Sequence, residues 1–526
     1  MGVFRKIGRF ILPQSVDLRL RRLELLVWAF LLSFAYYPLP FGFLAWFALA
    51  RPLLIISRLK GREAFNAAYF FGFFFSLFSL YWLWVVTPPG LFATVFILGF
   101  YYAFVLVLFS KLHNWKPVFG WVAMPFLWVG LEYFRTVGQI AFPWSDLGYT
   151  QSYYLWILQI VAVISVHGLS LLIVAVNVLL AQLIRSELRP ERRLTAGLLS
   201  LATIVGLCAY GWAALPEYPK PGTVPVALLQ GSIPNEIKWG VDTEFRSFRT
   251  YDSLTQSVTD SSVRLYVWPE TAAPAYLSSD TYHQKMVGNM ATRSFGYHLV
   301  GSMGDGIRDG KSRYFNSCFQ FNPGGQIEYR QDKVHLVPFT EAVPYQDEIP
   351  FLRQEFLVKY LTFIKTMEVN WWSDFYPGDS SVLFKLPDVS YGVLICFEST
   401  FPEYSRGLVR KGAEFLVGIT NDSWWGTSIA LHMHSRIFVT RAVENRCWIA
   451  RCANSGLTYT VDGYGRIHEE LPLDAVEALV GHVGIVDGYT IFTRYGDIAG
   501  KGSFLITLLV CGILPVRWVG RRFLRK

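Results

Sequence analysis

Tyr391-Gly392-Val393-Leu394-Ile395-Cys396-Phe397-Glu398 reads as a short apolar strand that stops at a thiol and then a carboxylate. A thiol at the carboxyl end of a strand, rather than within it, stands where α/β domains hold their reactive groups. Similar β-rich runs lie at 224–230, 265–268, 297–302, 317–321, 415–420 and 447–453, and helical stretches such as 236–257 and 432–444 separate several of them. This alternation predicts a layered α/β domain over residues 216–500. About 285 residues are ample for one core.

Two other places in that domain carry chemistry. The run 265–268 leads into Pro269-Glu270, which sets a carboxylate at a strand end beside a helix-stopping proline. Lys333 is a basic residue inside the mostly apolar stretch Asp332-Lys333-Val334-His335-Leu336-Val337-Pro338-Phe339. Taken singly, each has a bland reading, since cysteine is among the most buried residue types and a lone Lys or Glu is usually solvated. As a set they are chemically coherent. A carboxylate can take the thiol proton, an ammonium can hold a developing oxyanion, and a thiolate is a polarizable nucleophile for acyl transfer.

On either side of the domain the sequence belongs in lipid. The 526 residues are 52% hydrophobic and only 17% charged, against roughly 25% charged in a soluble globular protein. Seven apolar runs precede residue 215, at 23–37, 41–57, 64–86, 90–110, 118–135, 154–184 and 194–214, and an eighth lies between Lys501 and Arg517. The first two are separated by Pro38-Leu39-Pro40, which predicts a tight helical hairpin. Basic clusters fall at 5–22, 51–62, 111–116, 185–193 and 517–526, that is, at the amino terminus, every second connection and the carboxyl tail. If basic segments stay cytoplasmic, residues 1–215 hold seven transmembrane helices, 216–500 lie in the periplasm, and 501–526 supply an eighth helix and a basic cytoplasmic tail.

The formal net charge of +9 does not point to nucleic acid. Residues 1–215 carry +10, residues 501–526 carry +6, and the hydrophilic middle carries −7, so the basic excess sits beside the apolar runs. His432 and His434 have no Cys or carboxylate at ligand spacing, and no metal site is predicted. Glu132 and Arg135, three apart, read as a local ion pair. Cys447 and Cys452 would lie about 16 Å apart along one strand and cannot bridge each other, which leaves a disulfide from Cys318 to either one open.

Tyr266-Val267-Trp268-Pro269-Glu270, the segment from Lys333 to Glu341, and Ile395-Cys396-Phe397-Glu398, in that order, resemble the Glu–Lys–Cys set of the nitrilase superfamily. With the apolar runs before and after it, the chain as a whole resembles the apolipoprotein N-acyltransferase family. Further matches are Gln230-Gly231-Ser232-Ile233-Pro234 with Trp239, the segment from Thr420 to Gly426, and Arg441-Ala442-Val443-Glu444-Asn445. The resemblance implies an α-β-β-α sandwich mounted on eight transmembrane helices in a bacterial inner membrane. It further implies a cofactor-free transfer of an acyl chain from a phospholipid to the α-amine of diacylglyceryl-modified apolipoproteins. Glu270 would be the base, Lys333 and the Phe397 N–H the oxyanion donors, and Cys396 the nucleophile. Glu341 and Glu398 would be supports, and Trp239 would line the lipid entrance. A membrane-tethered amidase would use the same trio, and an inactive membrane scaffold is the non-enzyme alternative.

Overall fold

A computed structural model describes residues 16–217, 222–238, 244–259, 262–352, 374–486 and 488–523. The amino-terminal region is a bundle of apolar helices. Helix Val16–Phe34 is followed by a 3-10 turn at Gly42–Trp46 and helix Ala50–Ser57. Phe34 packs on Phe41, Trp28 on Phe47, and Glu24 pairs with Arg51. These contacts step away from the prolines in register, so the two arms run antiparallel as the predicted hairpin.

Helix Gly61–Leu80 ends before the predicted run does, and a short turn of helix at Leu83–Val86 follows. Helix Pro88–Trp115 starts cleanly because Thr87 Oγ1 accepts from the Gly90 N–H at 3.2 Å and proline occupies the first turn. The run 154–184 divides into Leu155–Leu158 and Val161–Leu183, and the second helix is kinked at Ser165, which is left-handed at φ 67°. Among the described residues four helices are long and apolar enough to cross a membrane, Pro88–Trp115, Pro117–Phe134, Val161–Leu183 and Pro190–Ala214. The last helix runs from Ile498 to Phe523.

The domain that follows holds two sheets. Its strands are β1 (Val224–Gln230), β2 (Leu265–Val267), β3 (Ala273–Tyr276), β4 (Tyr297–Arg308), β5 (Lys311–Phe321), β6 (Ile327–Asp332), β7 (Leu383–Lys385), β8 (Ser390–Ile395), β9 (Phe415–Thr420), β10 (Ile449–Ala453), β11 (Tyr459–Val461), β12 (Ile467–Glu470) and β13 (Glu477–Val483). One sheet has the order β13-β1-β2-β4-β5-β6 with β3 added on β4, and the other has the order β12-β11-β10-β9-β8-β7. The centre of each is parallel, β1-β2-β4 and β8-β9-β10, and the edges are antiparallel.

Period-2 alternation sorts the side chains between layers. Val226, Leu228, Val267 and Leu299 meet Val393, Ile395, Val417 and Ile419 between the sheets. The outward Ala227, Leu229 and Tyr266 pack with Phe248, Tyr251, Val287 and Met290 of helices Glu244–Ser257 and Thr281–Ser294. On the other sheet Leu394 and Leu416 pack under Leu408, Phe438 and Val439, which share one continuous core with the apolar bundle. The result is four layers, helix, sheet, sheet, helix, with the second helix layer seated on the bundle.

Two sequence readings change. The six cysteines are all unpaired, so no link from Cys318 forms: Cys318 and Cys452 lie in the core between the sheets, and Cys447 lies in the core that the second helix layer shares with the bundle. Cys447 precedes β10 rather than belonging to it. Arg135 does not pair with Glu132. The helix ends at Phe134, the loop 136–153 folds back, and Arg135 bonds Asp146 at 2.5 Å, while Glu132 accepts from Trp128 Nε1 at 3.0 Å and from the Leu147 N–H at 2.9 Å.

Candidate active site

Three strand ends deliver the predicted trio to one place. Glu270 follows β2 after Pro269, Lys333 follows β6, and Cys396 follows β8. A Cβ at Gly301 would lie 2.1 Å from the Pro269 carbonyl oxygen, so β4 can pass the Glu270 segment only as glycine. Cys396 is left-handed at φ 51°, a conformation that L side chains rarely adopt and that turns the chain sharply out of the strand.

Lys333 Nζ lies 3.0 Å from Glu270 Oε1 and 2.9 Å from Glu341 Oε1. Asn316 Nδ2 donates to the same two oxygens at 2.7 and 2.9 Å. The second oxygen of each carboxylate takes a backbone N–H, from Asn421 at 2.9 Å for Glu270 and from Val337 at 2.8 Å for Glu341. Glu398 is held differently. It accepts from the N–H groups of Val334 at 2.7 Å and Ile395 at 2.9 Å, and so ties the strand before Cys396 to the segment after Lys333.

The electrostatics follow from these partners. Burial would raise the Glu270 carboxyl, but Lys333, Asn316 and the Asn421 N–H outweigh it and hold the pKa below the ordinary value. Burial would likewise lower the Lys333 ammonium, but Glu270 and Glu341 raise it well above its ordinary value. Burial and the neighbouring Glu270 charge push the Cys396 thiol far up, against the pull of Lys333. The resting state is therefore a carboxylate, an ammonium and a neutral thiol, which is the protonation that a general base and its nucleophile need before reaction.

All four groups, Glu270, Lys333, Glu341 and Cys396, line a cavity of about 350 Å³. Its wall is aromatic and comes from both halves of the molecule. Trp82, Phe142 and Trp144 of the bundle face Phe397, Trp424 and Trp425 of the domain, and Trp144 packs on Trp82 at 5.1 Å and on Trp425 at 5.5 Å between ring centroids. A cavity of this kind suits an acyl chain beside a thiol. Sequence reasoning brought Glu270, Lys333, Glu341, Phe397, Cys396 and Glu398 to the site, and Trp239 lies outside the described residues. It missed Asn316, one residue before a predicted strand, and the bundle tryptophans, whose apolar character read only as membrane.

Fold and site together define a thiol-bearing carbon–nitrogen hydrolase domain set on an apolar helical base. The carbon-nitrogen hydrolase model matches residues 226–485, and the model of the apolipoprotein N-acyltransferase N-terminal domain matches residues 28–179. The apolipoprotein N-acyltransferase of Geobacter metallireducens is 34% identical, over 86% of this chain and 88% of that protein. That of Chlorobaculum tepidum is 29% identical, over 90% and 91% respectively. Among solved structures, an amidase from Nesterenkonia sp. is similar over 53% of this chain and 95% of that one, with 15% identity and a TM-score of 0.36. The chain belongs to the apolipoprotein N-acyltransferase family, and is an acyltransferase of lipoprotein biosynthesis.

Proposed function

We propose that the reaction runs in two half-reactions through a thioester on Cys396. In the first, Glu270 takes the thiol proton as sulfur attacks the ester carbonyl of a phospholipid. Lys333 and the Phe397 N–H hold the oxyanion. The carbon–oxygen ester bond breaks, the proton passes from Glu270 to the departing alkoxide, and a lysophospholipid leaves. In the second, the free α-amine of a diacylglyceryl-modified cysteine at the amino terminus of an apolipoprotein attacks the thioester. Glu270 takes the amine proton and returns it to the Cys396 thiolate, and an amide remains.

The observation that carries this reading is the geometry: Glu270, Lys333 and Cys396 are all buried and line one cavity, with Lys333 Nζ 3.0 Å from Glu270 Oε1. Glu341 shares Lys333 with Glu270 and orients it, and Glu398 fixes the two loops. We assign Trp239 to the lipid entrance. The substrates are lipids of a bacterial inner membrane, with eight helices crossing it and residues 216–500 in the periplasm; the alternation of basic clusters supports that orientation. Reporter fusions at Ser279 and after Lys526 should read periplasm and cytoplasm. Enzyme acylated with phospholipid and then freed of it should transfer one acyl chain to a diacylglyceryl peptide; transfer that needs both substrates present at once would refute the thioester.

A further inference from the structure

The peptide unit that joins Cys396 to Phe397 is gripped from its carbonyl side. Cys396 O accepts from Ser399 Oγ at 2.9 Å and lies 3.2 Å from His434 Nε2. The same Nε2 lies 3.1 Å from Ser399 Oγ, and because a carbonyl oxygen has no proton to give, the bond between the ring and Cys396 O is one that Nε2 donates. The other ring nitrogen, Nδ1, lies 3.2 Å from Asp422 Oδ1 and 3.3 Å from Arg451 Nη2, and Arg451 Nη2 bonds Asp422 Oδ2 at 2.6 Å. Thr420 Oγ1 donates to Asp422 Oδ1 at 2.7 Å. All three ionisable side chains are fully buried, and His434 does not line the cavity. The imidazole is further boxed by the rings of Trp144, face to face at 5.5 Å, and Trp425, edge on at 5.0 Å.

A buried Arg–Asp–His chain is an expensive way to fill space, because apolar residues of like volume pack there at no desolvation cost. What it reaches is one end of a rigid object. The peptide unit is planar and trans, so its C=O and its N–H point in opposite directions and turn together. Fixing the carbonyl oxygen of Cys396 therefore fixes the direction of the Phe397 N–H. The left-handed backbone at Cys396, which the residue would leave if released, makes such a hold necessary.

We propose that Arg451, Asp422 and His434 form a positioning chain that sets the Cys396–Phe397 peptide plane and aims the Phe397 N–H at the oxyanion. Arg451 fixes Asp422, the pair fixes the imidazole, and the imidazole pins the carbonyl. This rests on the assignment of that N–H as an oxyanion donor.

The test separates the two ideas by comparing acylation with alkylation. Acylation by phospholipid builds an oxyanion; alkylation of Cys396 by iodoacetamide uses the same thiol and builds none. His434→Leu should slow single-turnover acylation by roughly tenfold or more, the worth of one hydrogen bond at a reacting centre, with the phospholipid KM and the alkylation rate unchanged. His434→Gln, whose amide N–H can reach the carbonyl, should recover most of the loss. Unchanged acylation in His434→Leu would overturn the proposal, and so would an equal loss of alkylation, which would make His434 a support of the thiol rather than of the oxyanion donor. If His434→Leu does not fold, His434→Asn and His434→Gln, alike in polarity and unlike in reach, replace it, and equal rates in the two would also overturn the proposal. Wild-type enzyme that alkylates but never acylates would refute the underlying mechanism instead.

Discussion

Two clusters of charge are buried in this molecule, and they differ in access and in what lies beside them. Between the bundle and the domain, Arg135 bonds Asp146 at 2.5 Å, His167 lies 2.5 Å from Asp497 and 3.4 Å from Asp146, and Ser165 Oγ donates to Asp497 at 2.6 Å. In the site, Lys333 serves Glu270 and Glu341 together. No residue of either group is more than 9% exposed. The first cluster is sealed by helix Val161–Leu183 and the segment before the last helix. The second opens on an apolar cavity, holds two carboxylates for one ammonium, and has a neutral thiol beside it. Burial and pairing alone make a fastening. Access and a nucleophile beside the carboxylates make a place where charge can move.

Substitutions in the two clusters should therefore fail in different ways. Glu270→Gln removes the base and should slow thioester formation by about a hundredfold to ten-thousandfold in a single-turnover assay, with the folded yield kept. Thioester formation at the normal rate, with failure only in transfer to the amine, would assign the activation of Cys396 to Glu341 or Glu398. Lys333→Ala removes one oxyanion donor and should slow both half-reactions by about a hundredfold to a thousandfold.

Asp146→Asn in the sealed cluster should do the reverse. It leaves Arg135 buried with a poorer partner, and breaking such a pair costs about 3–5 kcal/mol of stability, read as a lower Tm in detergent. The acylation rate of the remaining folded enzyme should match wild type. A rate loss larger than the loss of folded protein would erase the distinction between the clusters.

The smallest effect concerns acid. Burial would raise the Asp422 carboxyl, but the Arg451 guanidinium outweighs it and holds the pKa below the ordinary range. A carboxyl whose pKa is depressed by folding stabilises the protein above its unfolded pKa of about 3.9, and the contribution is lost as pH falls through the folded value. Thermal scans of Asp422→Asn should therefore show a shallower loss of stability below about pH 4 than wild type. Parallel acid limbs would place the depressed carboxylate elsewhere.

The sequence carried Glu270 and Cys396 because each follows an apolar strand, and a change from apolar to polar at a strand end is a local signal; Lys333 follows the polar β6 and was legible only as a basic residue inside an apolar stretch. The layers were legible for the same reason: β1, β8 and β9 have both faces covered and read as near-continuous apolar runs. The short strands β3, β7, β11 and β12 were not legible, since so short a segment is set by its neighbours in the sheet, whereas the equally short β2 was, because all three of its residues are apolar or aromatic and buried. Arg135 was misread because its partner depends on a loop that returns from eleven residues further on. Trp82 and Trp144 could not be placed, because being apolar does not tell whether a side chain faces lipid, a core or a cavity.

The most direct measurement is the mass of the protein after incubation with phospholipid and no apolipoprotein. The mechanism predicts one added fatty-acyl group on the peptide that contains Cys396, released by neutral hydroxylamine and absent in Cys396→Ala. An adduct on Cys318, Cys447 or Cys452, or acyl transfer at full rate by Cys396→Ala, would contradict it.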